Sequence, residues 1–142
     1  MLQKIMYVGS ILLFLSACAI PHNKHDTNPA FSEHQYNGHD VNIVWKSEKT
    51  DTGIRIAGAV TNSRYELPYE GFELTASLLD ENKKILAKNI FRTGAGHLTG
   101  SVPEPFKMDI PLENKDMLRK IKFFYSYGNL DDHFTGTFES VP

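Results

Sequence analysis

From Val41 onward, large apolar side chains return at every second position, and this alternation constrains the fold more than any other feature of the chain. Val41, Ile43 and Trp45 alternate with Asn42, Val44 and Lys46, and Ile54, Ile56 and Val60 share a face with Gly58 against Arg55, Ala57 and Thr61. Phe72, Leu74, Ala76 and Leu78 alternate with Glu73, Thr75 and Ser77, and Phe106, Met108 and Ile110 with Lys107 and Asp109. Ile121, Phe123, Tyr125 and Tyr127 oppose Lys120, Lys122 and Ser126, and Phe134 and Phe138 oppose Thr135 and Thr137. A period of two puts one set of side chains on one face of an extended strand, so each run reads as a half-buried antiparallel strand. Lys84 to Arg92 is ambiguous: Ile85 and Ala87 favour one face, Leu86 and Ile90 the other, the pattern of a bulged or edge strand. Turn-like residues separate the runs at Asp51–Gly53, Asp80–Lys83 and Gly128–Asp132, and only Glu113 to Arg119 allows a single helical turn.

Seven strands with inward Phe, Ile and Leu predict an all-β fold, a seven-stranded antiparallel β-sandwich. Its strand order would be immunoglobulin-like or transthyretin-like, and alternation alone does not separate the two. At 142 residues and 41% hydrophobic composition the chain has room for one core and is too apolar to be disordered. Fifteen basic and 17 acidic residues are spread evenly, which argues against a nucleic-acid binder, whose Lys and Arg cluster. A single Cys excludes disulfide scaffolds and zinc ribbons.

That Cys stands in a telling place. Residues 1–20 carry one charge, Lys4, ahead of an apolar run from Ile5 to Leu15, which is short for a spanning helix and right for a signal peptide. Leu15-Ser16-Ala17-Cys18 then resembles the lipobox of bacterial lipoproteins at all four positions. The resemblance implies a diacylglycerol on the Cys18 sulfur, cleavage by signal peptidase II before Cys18, and acylation of the new amino group, palmitate being a usual chain. It also implies a bacterial cell envelope, with membrane contact through the N-terminal lipid, and Ala19 after the Cys favours the outer membrane. One acyl chain holds a protein only reversibly, whereas two or three on one residue anchor it stably. Without Lys4 the chain is more acidic still, so attraction to anionic lipid does not supply the anchor.

The chain therefore divides into a signal peptide at 1–17, a lipidated Cys and flexible tether at 18–40, and a β-sandwich domain at 41–142. The tether is polar, interrupted by Pro21 and Pro29, and shows no period. Four of the six histidines lie in it: His22, His25, His34 and His39. Imidazole suits zinc or copper, but no Cys or carboxylate cluster completes a four-ligand set, so no metal or other cofactor is expected.

Within the sandwich, Gly58-Ala-Val60-Thr-Asn62, then Ala76-Ser-Leu78-Leu79-Asp80-Glu-Asn-Lys83, then Pro105-Phe106-Lys-Met108 resembles the FxLYD family of envelope domains over residues 41–111. The name-giving motif departs from that family, with Ala76 in place of its Phe and Leu79 in place of its Tyr. The resemblance implies a fold and gives no activity. Asp80 is expected to bind backbone amides of its own turn.

No catalytic constellation emerges. Gly94-Ala-Gly-His97-Leu-Thr-Gly100 is glycine-rich but runs into Ser101-Val-Pro-Glu-Pro105, which cannot begin the helix a phosphate loop needs. No Ser sits in a nucleophile elbow, and Asn129, Asp131 and Asp132 fall short of a calcium loop. His97 and His133 have no placed partners. The expectation is a protein that is not an enzyme, with the sandwich as an interaction or structural module for another envelope protein. Two rivals are an accessory subunit of a secretion or transport complex and a carrier of a metal or small hydrophobic ligand. Arg64, Tyr65 and Tyr69, in the loop Ser63 to Glu70, are the candidate contact residues, being types enriched at binding hot spots. The competing reading makes the tyrosines plugs at the end of the core.

Overall fold

The computed structural model describes residues 34–64, 68–93, 97–100 and 102–142. The signal segment, Cys18, His22 and His25, together with Tyr65 and the Gly94–Gly96 stretch, lie outside the described residues. Among the described residues nine strands follow in chain order: β1 (His34–Asn37), β2 (Val41–Lys49), β3 (Gly53–Asn62), β4 (Tyr69–Leu79), β5 (Ile85–Arg92), β6 (His97–Leu98), β7 (Glu104–Pro111), β8 (Lys120–Asn129) and β9 (Asp132–Ser140). The helical turn expected near Glu113–Arg119 is a single 3-10 turn at Lys115–Met117, begun by Asn114, whose side chain accepts from the Asp116 amide.

The strands form two antiparallel sheets. Sheet I has the order β1-β2-β3-β7, and sheet II has β5-β4-β8-β9 with β6 added alongside β4. The expected all-β sandwich is present, but the strand count of seven is corrected to nine. The two additions have different causes. β1 pairs with β2 from His34↔Trp45 to Asn37↔Asn42, so strand pairing reaches back into the stretch whose composition reads as tether. Its sequence His-Gln-Tyr-Asn offers only Tyr36 as an apolar signal. β6 is two residues long, pairing Leu98 with Tyr69 and His97 with Glu70, in a stretch that composition marked as loop.

The core is the inward half of each alternation. Val41, Ile43, Trp45, Ile54, Ile56 and Val60 of sheet I meet Phe72, Leu74, Leu78, Ile121 and Phe123 of sheet II, all at most 2% exposed. Each such side chain contributes roughly 1.5–3 kcal/mol by leaving water. Aromatic rings connect the sheets near the β1 and β9 margin. Trp45 lies 4.9 Å from Phe123 and 5.5 Å from Phe138, and Tyr36 stacks on Phe138 at 4.0 Å. The mixed pattern of β5 is a bulge: Leu78 pairs with Ala87 and Leu79 with Ile85, so Leu86 has no partner across the strand. A second bulge falls in β4 between Glu70 and Glu73, where Gly71 takes a φ of 57° that a side chain would resist.

Candidate functional site

One end of the sandwich collects the β1–β2 corner, the β3–β4 connection, β6 and the tip of the β8–β9 hairpin. Asp40 occupies the corner. Its Oδ1 lies 3.0 Å from His39 Nδ1 and 3.4 Å from Arg64 Nε, and the Tyr127 hydroxyl donates to its carboxylate. The Asp40 backbone carbonyl accepts from the Tyr69 hydroxyl at 3.1 Å and from the Ser63 amide at 2.8 Å. Beneath it, buried Asn62 closes β3: its Nδ2 donates to Leu98 O at 3.3 Å and its Oδ1 accepts from the Arg64 amide at 2.7 Å. The rings of Tyr69 and Tyr127 stack at 3.8 Å.

The charges are fixed by this geometry. Burial alone would raise the Asp40 pKa, but the hydrogen bonds from His39 and Tyr127 and the Arg64 guanidinium hold it below the usual carboxylate range. Burial pushes the Tyr69 hydroxyl up, and burial together with the adjacent Asp40 carboxylate pushes Tyr127 up much further. The tyrosines therefore keep their hydroxyl protons to donate while Asp40 is an acceptor only, an arrangement that holds loops together. His39 Nδ1 also sits 3.0 Å from Arg64 Nη2. It can donate to the carboxylate or accept from the guanidinium, and not both with one proton.

The three candidate contact residues fare differently. Arg64 is 43% exposed along its side chain, yet its amide and guanidinium are bound to Asn62, His39 and Asp40. Tyr69 is fully buried and closes the end of the core, as the competing reading of the tyrosines has it. Tyr65 lies outside the described residues. Of the histidines assigned to the tether, His34 stacks on Trp45 at 5.4 Å and His39 joins the corner cluster. Asp80 behaves as its turn chemistry requires, its Oδ1 accepting from the amides of Asn82 and Lys84 at 2.9 Å. Among the described residues, no group of three His, Cys, Asp or Glu side chains is placed to hold a metal ion. Nothing in the pattern of residues signals directly that Asp40, Asn62 and Tyr127 belong together, because 87 positions of chain separate the outer two; the position of Asp40 just before the first alternating residue is the one cue.

Elsewhere, the outer face of sheet II carries a shallow groove of about 330 Å³ lined by Ile85, Lys88, Lys122, Phe124 and Thr137. Phe124 and Ile85 are 44% and 55% exposed there.

No family model matches the chain, and no curated protein matches it. Among solved structures it is similar to the yeast GGA1 GAE domain, at 14% identity and a TM-score of 0.45, over 77% of this chain and 97% of that one. It is also similar to part of a beta-glucuronidase of glycoside hydrolase family 2, at 10% identity and a TM-score of 0.44, over 75% of this chain and 10% of the enzyme. The class defined by the chain's own strands is an all-β sandwich of two antiparallel sheets.

Proposed function

We propose that the protein is a lipid-anchored lipoprotein of a bacterial cell envelope whose β-sandwich, of the immunoglobulin-like kind, serves as a non-catalytic interaction module. The observation that carries this reading is Leu15-Ser16-Ala17-Cys18 placed directly behind an apolar run. A lone Cys in an exported chain is then a lipid attachment point and not an unpaired thiol. Two or more acyl chains on Cys18 anchor the domain to the bilayer, the outer membrane being favoured by Ala19. The polar residues that follow Cys18 would supply the spacer between lipid and domain. The corner around Asp40 supports a module whose loops are set in one shape for contact with another envelope protein, with Arg64 as the side chain that reaches solvent.

The test is metabolic labelling with palmitate. Cys18→Ser should abolish the label and leave an unprocessed precursor in the membrane fraction. Labelling that survives the substitution rules out Cys18 as the modified residue.

A further inference from the structure

Each sheet of a sandwich ends in strands with unpaired backbone groups, and natural proteins blunt such edges with prolines, charges, bulges or short length. Three of the four edges here are blunted. β1 is four residues long. β7 carries Pro105 and Pro111 with Lys107 and Asp109 between them. β5 is bulged opposite Leu78 and Leu79, bears Lys88 and Arg92, and is tied to β7 by Asn89 Nδ2 donating to Asp109 O at 3.0 Å.

β9 has no proline, no bulge and no shortness to blunt it, and its charges lie only near its two ends. It is nine residues long, regular in its pairing with β8 from Asn129↔Asp132 to Ile121↔Ser140, free of proline, and carries acidic residues only at Asp132 and Glu139. Its two-residue turn makes Asn129 and Asp132 a hydrogen-bonded pair, and such pairs alternate along an antiparallel ladder. Phe134, Gly136 and Phe138 therefore bond to β8, while His133, Thr135, Thr137 and Glu139 turn their N–H and C=O groups away from the sheet. All four of these residues are exposed.

The sequence of this edge, unpaired among the described residues, is symmetric about Gly136. His133-Phe-Thr-Gly136-Thr-Phe-Glu139 reads Phe-Thr-Gly-Thr-Phe in both directions, with a hydrogen-bonding imidazole at one end and a carboxylate at the other. An antiparallel strand with this sequence is its own complement. We propose that β9 pairs with β9 of a second copy of this chain, about a two-fold axis at Gly136. In that register Thr135 faces Thr137 of the second copy, Phe134 faces Phe138, and His133 faces Glu139, each pair occurring twice. Four outward residues per copy complete their backbone bonds, and the two copies of sheet II join into one continuous sheet. Threonine and aromatic pairs directly opposite one another favour sheet pairing, and the His–Glu pairs fix the register. Glu139 is engaged by Lys120 through Oε2 at 2.7 Å, among the described residues, and keeps its other oxygen for the contact. Gly136 is required where it stands for a separate reason: a Cβ there would lie 2.1 Å from the Tyr125 ring, so the axis falls where the strand is narrowest.

The experiment is sedimentation equilibrium of the full chain purified in a nonionic detergent, with the detergent contribution matched by density. The wild type should sediment at twice the chain mass. Thr135→Pro removes an outward N–H and no ladder bond to β8, and should give the single-chain mass with circular dichroism unchanged. His133→Glu sets like charges opposite each other and should weaken association about tenfold, while His133→Glu combined with Glu139→Lys restores it. If Thr135→Pro fails to fold, the two charge variants decide the question alone. A wild type that stays at the single-chain mass overturns the proposal, and so does a dimer indifferent to His133→Glu.

Discussion

Lys83 takes a position in its hairpin that glycine usually fills. The Lys83 amide donates to Asp80 O at 3.1 Å and the Asp80 amide to Lys84 O at 3.1 Å, which is a tight turn followed by one left-handed residue. The φ of Lys83 is 62°. The left-handed region costs a side-chain-bearing residue roughly 1 kcal/mol or more, while glycine would give back about 0.4–1 kcal/mol through the entropy of the unfolded chain. Lys83→Gly should therefore stabilise slightly, by about 0.5 kcal/mol, and the β-branched Lys83→Val should destabilise by about 1–2 kcal/mol. Urea melts with an unchanged slope would show this as midpoint shifts of opposite sign. The turn itself was readable in Asp80-Glu-Asn-Lys83, because Asp bonds the amides that follow it. The handedness of Lys83 was not, because lysine has no preference for that conformation that a sequence could announce.

At the scale of elements, legibility followed the number of apolar repeats. β2, β3, β4, β7 and β8 each place at least three large inward residues at spacing two, and each was visible in the sequence. β1 repeats nothing apolar: His34, Gln35 and Asn37 are polar and Tyr36 is its one apolar residue, so tertiary contact makes a strand where local pattern suggests tether. Its attachment depends on few groups. Tyr36 stacks on Phe138, His34 stacks on Trp45, and four residue pairs join it to β2. Tyr36→Ala should accordingly cost about 1–2 kcal/mol, less than a central core truncation, since the ring is only half-buried. Native-state hydrogen exchange should show the amides bonded across β1 and β2 losing protection while those joining β4 to β8 keep theirs. Equal loss in both sets would mean that β1 folds as one unit with the core. The candidate site was obscured by a different cause. Its loop was marked by Arg64, Tyr65 and Tyr69, but burial separates Tyr69 from Arg64, and alternation gives no warning that a strand's first residue is also the end plug.

The whole molecule is tied at one end by a single charge. Asp40 precedes β2 of sheet I, Arg64 lies in the connection between the sheets, and Tyr69 and Tyr127 belong to sheet II, so the carboxylate and its own carbonyl join both layers. Because the folded pKa of Asp40 lies below its value in the unfolded chain, the unfolded state binds a proton more readily. The contribution to stability is complete above the ordinary carboxylate range, near pH 4, and is lost as pH falls through the lowered value. Glu139, lowered by Lys120, declines over the same acid range and would mask the effect in the wild type alone. The difference between wild type and Asp40→Asn isolates it. Asparagine keeps an acceptor for Tyr127 and nearly the same shape but has no charge to lose, so the wild type should be the more stable near pH 6, and the gap should close as the pH approaches 2. Chemical denaturation at a series of pH values measures both curves. A gap that stays constant would show that Asp40 acts through shape and neutral hydrogen bonds, whereas a gap that widens toward acid would reverse the sign of the linkage and remove the charge from its place between the sheets.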